Sequence, residues 1–168
     1  MIEKVVSGGQ TGVDRAALDT ALDLEIYCGG WCPKGRRAED GPVEALYSLQ
    51  ETPSSRYPQR TEWNVRDSDG TLVLYRKLLT GGSAYTTELA KQYDRPCLVL
   101  DLSAHPTRET VWKWINRHQI HILNVAGSRE SGNPGIYQEA CKLLRLVLPG
   151  SPLSKTILPK PPMDESIR

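Results

Sequence analysis

Three times in this chain an apolar, strand-like run ends in a glycine-bearing turn and restarts with helical periodicity. That repeated junction narrows the fold more than any other feature. The turns are Ser7-Gly8-Gly9-Gln10-Thr11-Gly12, Thr80-Gly81-Gly82-Ser83 and Gly127-Ser128-Arg129-Glu130-Ser131-Gly132-Asn133-Pro134-Gly135. Glycine lets the backbone turn with positive φ and approach a ligand closely, and the first turn of the following helix presents unpaired N–H groups. Each junction is therefore a candidate anion cradle. Three of them at the carboxyl ends of parallel strands argue for one nucleotide-like ligand held from several sides.

The flanking segments predict the elements. Ile2 to Ser7 reads as a buried strand and Gly12 to Leu24 as a helix with Val13, Ala16, Ala17, Leu18, Ala21 and Leu22 at helical spacing. Thr71 to Tyr75 is a second strand followed by a helix from Ser83 to Tyr93, and Cys97 to Asp101 is a third strand. Thr107 offers an N-cap to a helix running toward Arg117, Ile120 to Ala126 is a fourth strand, and Ile136 to Val147 is the last long helix. Strands alternating with helices predict an α/β fold, a mostly parallel sheet covered on both faces. From Ile26 to about Asp69 the periodicity is poor, with a short helix expected around Val43 to Leu49. The 168 residues fit one ligand-binding domain, 1–148, followed by a proline-rich tail, 149–168, in which Lys155 to Leu158 is a candidate edge strand.

Charge and cysteine usage exclude several classes. With 21 Lys and Arg against 20 Asp and Glu, net charge is +1, so no global basic field points to nucleic acid. No apolar run approaches membrane-spanning length, and the N-terminal residues lack a signal-peptide pattern, which predicts a cytoplasmic protein. Cys28, Cys32, Cys97 and Cys141 form no paired CxxC arrangement with the three histidines at ligand spacing, so reduced thiols and no metal site are expected. Cys28 and Cys32 as a redox pair is the remote alternative.

The first loop matches neither GxGxxG nor the GxxxxGK[ST] P-loop, which sets aside standard dinucleotide and ATP-hydrolysing readings. Gly8, Gly9 and Gly12 permit its turn, Gln10 and Thr11 can donate to a ligand, and Asp14 sits in the first helical turn, either as a capping-type carboxylate or on a ribose hydroxyl or hydrated cation. In the second loop the amides of Gly81, Gly82 and Ser83, with the hydroxyls of Ser83, Thr86 and Thr87, are placed to surround a phosphate, and Glu88 follows in the same helix. In the third, Gly127, Ser128, Arg129 and Ser131 follow a strand directly, where the Arg129 guanidinium can clamp phosphate or carboxylate at two points. Its dull alternative is a surface salt bridge with Glu130. Arg60-Thr61-Glu62-Trp63-Asn64-Val65-Arg66 precedes the second strand and suits ring stacking with polar contacts, or a solvated helix with a buried Trp. Lys34, Arg36 and Arg37 form a small basic cluster, and Arg15 is expected to be solvated.

With these motifs in hand the chain resembles the putative molybdenum carrier family, circularly permuted relatives of YpsA within the SLOG superfamily. The resemblance rests on Ser7 to Asp19, Gly29 to Gly41, Arg60 to Val65, Thr80 to Ser83 and Asn124 to Ser131. It implies a Rossmann-like, three-layer α/β fold and a nucleotide-derived ligand, the molybdenum-cofactor name implying a pterin with a phosphate tail. The LOG enzymes of the superfamily cleave nucleoside monophosphates with a PGGxGTxxE loop and an arginine. Gly81 and Gly82 match the glycine pair, Glu88 the glutamate, and Arg60 lies near the arginine's place, while Thr80, Ala84 and Tyr85 depart from that loop. The resemblance thus implies first a carrier for a phosphorylated pterin or nucleotide, with Trp31 or Trp63 near its ring. The alternative is a phosphoribohydrolase using Glu88 and Arg60, assisted by Asp14. A homo-oligomer is compatible with either.

Overall fold

A computed structural model of the chain describes residues 1–148. The tail and its expected edge strand lie outside the described residues. Strand β1 is Lys4–Val6 and leads through the first glycine loop into helix α1, Val13–Asp23. Strand β2 (Tyr27–Cys32) follows, then a two-residue hairpin, β3 (Arg37–Ala38) and β4 (Gly41–Pro42), and a short strand β5 (Leu49–Glu51). Helix α2 (Tyr57–Arg66), strand β6 (Gly70–Tyr75), helix α3 (Gly81–Gln92) and strand β7 (Cys97–Asp101) come next. Helix α4 (Arg108–His118), strand β8 (Ile122–Gly127) and helix α5 (Ile136–Val147) complete the fold.

Among the described residues the main sheet has six strands in the order β5-β2-β1-β8-β6-β7, and every neighbouring pair is parallel. Helices α1, α4 and α5 bury Val13, Ala16, Ala17, Val111, Ile115, Ile136, Ala140 and Leu144 against one face of it. Small residues at Ala16, Ala17 and Ala140 let α1 and α5 approach each other over the central strands. On the other face Val65 of α2 packs with Leu89 and Ala90 of α3. The three-layer α/β sandwich expected from the alternation is the observed one.

One correction concerns the segment of poor periodicity. The helix expected at Val43 to Leu49 is absent, and the chain turns there before entering β5. The Arg36 guanidinium explains why: it donates to the backbone carbonyls of Val43 (2.7 Å), Glu44 (2.7 Å), Tyr47 (3.0 Å) and Leu49 (3.1 Å). Carbonyls that a helix would use internally converge instead on one side chain. The same segment supplies β2 and β5, which extend the four expected strands to six.

The winding places a crevice. After β8 the chain crosses to the α1 face to form α5, and after β6 it crosses to the opposite face to form α3. Since β6 and β8 are neighbours in the sheet, their following loops diverge and leave a gap at their carboxyl ends. That is a topological switch point, where open α/β sheets bind ligands.

Candidate functional site

The gap at the switch point is a crevice of about 290 Å³ lined by Thr80, Gly81, Gly82 and Ser83 on one side and by Gly127, Ser128, Arg129, Ser131, Gly132 and Asn133 on the other. It joins the second and third glycine loops. Helix α3 opens there without a side-chain cap, so its first amides are available to an anion. A Cβ built at Gly81, Gly82 or Gly132 would meet nothing within 4 Å, so the space over these residues is open. Amides from a helix N-terminus, with Arg129 on the facing wall, form a donor set suited to an oxyanion such as phosphate. Thr86 and Thr87 do not contribute their hydroxyls, which donate within the helix to the carbonyls of Gly82 and Ala84, both at 2.7 Å. Ser83, 6% exposed, is the α3 hydroxyl that lines the crevice.

The first glycine loop lies beside this crevice, its helix joined to the third loop by a bond from the Val13 amide to the Ser128 carbonyl (3.1 Å). Here the structure assembles a buried polar group. Asp14, 3% exposed, accepts from the Gln10 amide and stands 3.5 Å from the Arg60 guanidinium, itself on a residue only 8% exposed. Burial pushes the Asp14 carboxyl above its usual range, and the Arg60 charge and the Gln10 and Gly127 amides oppose that shift incompletely. The Gln10 side-chain oxygen accepts from the amides of Thr11 (3.1 Å) and Glu39 (2.9 Å), while its buried Nε2, like the buried Nε of Arg60, has no partner among the described residues. Buried donors without a protein partner are uncommon, and an ordered water or an ion is one way in which such donors are satisfied.

Glu39, at the tip of the β3–β4 hairpin, is the residue that sequence reasoning missed. It accepts from the Thr11 hydroxyl, from the Ser131 hydroxyl (2.7 Å) and from the Ser131 amide (3.3 Å), and lies 3.9 Å from Arg129. Burial alone would raise its carboxyl, but those hydrogen bonds and the Arg129 charge together hold it below the usual range. Tyr57 likewise carries no signal in the sequence, although the guanidinium carbons of Arg129, Arg37 and Arg60 lie 4.8, 5.2 and 5.8 Å from its ring centre. No periodicity signals either residue; each is brought in by a tertiary approach of the 33–57 segment.

Other expected site residues go elsewhere. Glu88 stands exposed on α3, about 10 Å along the helix axis from Gly81 at the usual rise, and does not line the crevice. Trp31 and Trp63 meet edge to face with centroids 4.6 Å apart, and Trp31 donates to Asp67 at 2.8 Å, so both rings are engaged in seating α2 on β2. Glu130 does not pair with Arg129 but caps α5, accepting from the amides of Gly135 (2.5 Å) and Tyr137 (3.0 Å). Arg15 is not solvated; it bonds the Gly9 carbonyl (3.0 Å) and pairs with Asp40 (3.3 Å). Cys28 and Cys32 share strand β2 four residues apart, about 13 Å in extended backbone, too far for a disulfide. Burial raises both thiols and pushes that of Cys97 up to about 11. A larger groove of about 580 Å³ runs between α5 and the turn after β7, but it gathers Arg76, Ser103, His105 and Glu139 and no residue of the glycine loops.

Fold and crevice together define a Rossmann-like α/β protein whose glycine loops meet at the switch point of a parallel sheet. The family model described as the circularly permutated YpsA SLOG family matches residues 5–148, and the chain belongs to that family. Among solved structures it is similar to a crystal structure described as a putative molybdenum carrier protein from Syntrophus aciditrophicus SB. The two are 50% identical with a TM-score of 0.83, over 88% of this chain and 95% of that one. No curated protein matches the chain.

Proposed function

We propose that this chain binds a phosphorylated small molecule, of the phosphorylated pterin or nucleotide kind, at the crevice between β6 and β8, and acts as its carrier. The observation that carries this reading is the uncapped N-terminus of α3 with Arg129 on the facing wall of the crevice. The related structure's description as a molybdenum carrier protein supports a molybdenum-cofactor ligand, whose phosphate tail suits these donors. Here Gly81, Gly82 and Ser83 would hold phosphate oxygens through their amides, Arg129 would neutralise their charge, and Asn133 would line the far wall. The first loop would act from behind, Asp14 fixing Arg60 and Gln10 fixing the turn. The free thiols of Cys28, Cys32, Cys97 and Cys141 fit the reducing cytoplasm in which we place the protein.

A hydrolase would need a carboxylate at the scissile bond, and the exposed position of Glu88 favours the carrier over it. The test is thermal and calorimetric titration with inorganic phosphate, molybdate, adenosine monophosphate and a phosphorylated pterin. At a hundred times its dissociation constant a true ligand stabilises the fold by roughly 2.7 kcal/mol. Arg129→Ala should weaken binding about tenfold or more, and Glu88→Gln should leave it unchanged. If none of the four probes stabilises the protein, the reading is wrong.

A further inference from the structure

We propose that Glu39 occupies a second acid-group subsite adjoining the crevice, and that the ligand carries two acidic groups, the second of which displaces the Glu39 carboxylate. This rests on the reading of the crevice as a phosphate site. The donors around Glu39 all belong to glycine loops rather than to its own hairpin: the Thr11 hydroxyl, the Ser131 hydroxyl and amide, and the Arg129 guanidinium. They converge on two oxygens of one carboxylate, which stand where two oxygens of a ligand's phosphate or carboxylate would bind. Ser131 and Arg129 also line the crevice, so the two acid groups would sit side by side, as in a pyrophosphate.

The stem of the hairpin is held by Ala38, buried with Leu18, Cys32 and Val43, and the tip is the part that can yield. The ladder joins only Arg37 with Pro42 and Ala38 with Gly41, and Gly35 and Gly41 adopt φ of +77° and +112° with open space around them. The tip is held by Glu39 itself, by the bond from the Glu39 amide to Gln10, and by the exposed Asp40 pair with Arg15. When the tip lifts, Arg129 loses its counter-charge to the incoming group, and the Gln10 side chain, whose Nε2 lacks a partner, is freed to turn toward it. Glu39 is thus a tethered competitor: it satisfies the donors when no ligand is present and sets a threshold that a single phosphate does not cross.

Calorimetry of wild type and Glu39→Gln with inorganic phosphate and with pyrophosphate separates the possibilities. Pyrophosphate affinity should rise about tenfold in Glu39→Gln and phosphate affinity by clearly less, since a single phosphate shares only Arg129 with Glu39 while the α3 amides do not contact Glu39. Ser131→Ala should weaken pyrophosphate more than phosphate. As a readout independent of any variant, hydrogen exchange of residues 37–42 in the wild type should accelerate with pyrophosphate and not with phosphate. Pyrophosphate affinity unchanged or reduced in Glu39→Gln, or a hairpin equally protected with both anions, overturns the inference while leaving a wild type that binds phosphate as a phosphate carrier. Failure of both proteins to bind either anion, together with no stabilisation by adenosine monophosphate or a phosphorylated pterin, defeats the underlying reading instead.

Discussion

Arg60 reaches the first glycine loop because residue 8 has no side chain: a Cβ there would stand 2.3 Å from one of its terminal nitrogens. Its partner Asp14 is as deeply buried, so removing either leaves an uncompensated charge. Arg60→Ala should therefore destabilise the protein by about 3–5 kcal/mol, and the double variant with Asp14→Ala by less than the sum of the two singles. The pH dependence has a definite sign. Folding raises the Asp14 carboxyl, so its contribution is present below the ordinary carboxylate range and lost as pH rises through its folded value. Without Arg60 that loss deepens, and urea titrations should show the cost of Arg60→Ala growing from acid to neutral pH. Glu39 runs the other way, its contribution being present above the ordinary range and lost as pH falls through its lowered value. A cost of Arg60→Ala that is flat across this range would remove the charge argument. The sequence marks Arg60 and Asp14 as candidates but not as a pair, because 46 positions separate them and the close approach at Gly8 is a tertiary one.

Element boundaries show the same division between local and distant causes. Thr107 caps α4 as its sequence position predicts, with its hydroxyl accepting from the Thr110 amide. Strand β7 and helix α5 fall on the residues that the apolar pattern marks. What the pattern could not show is β2, written Tyr-Cys-Gly-Gly-Trp-Cys, where the glycine pair breaks β periodicity and neighbouring strands on both sides supply the regularity. Nor could it show β5 or the missing helix, since four carbonyls bound by one guanidinium are a tertiary choice. Thr107→Ala and Glu130→Ala should each cost about 1 kcal/mol in thermal unfolding, through loss of a cap to α4 and α5 respectively. Arg36→Lys loses the planar fork that serves several carbonyls at once. Limited proteolysis should then cut between Val43 and Leu49 in the variant well before the wild type, and equal resistance would mean that the turn holds without Arg36.

On the scale of the whole molecule, β8 is the last strand of the described residues yet central in the sheet, inserted between β1 and β6. Its insertion gives two results at once. It sets the third glycine loop between the other two, bonded to the first through the Val13 amide and the Ser128 carbonyl and sharing the crevice with the second, and it makes the middle of the sheet the most buried part of the fold. Val5, Leu72, Val73, Leu74, Leu123 and Val125 are all 0% exposed, whereas β5 is a three-residue edge strand and the β3–β4 hairpin stands outside the main sheet. Stability should be graded accordingly, because an amide exchanges by the cheapest opening that frees it. Strands β6 and β8 are each hydrogen-bonded to a neighbour on both sides, and freeing their amides requires separation of strands from both halves of the chain. In native-state hydrogen exchange under rising urea, Leu72, Val73 and Val125 should exchange only through global unfolding. Residues 37–42 and 49–51 should exchange through smaller openings that depend little on urea. A β5 as protected as β8 would mean that the edge is locked to the core, and the hairpin beside the crevice would then lack the freedom to rise from the glycine loops.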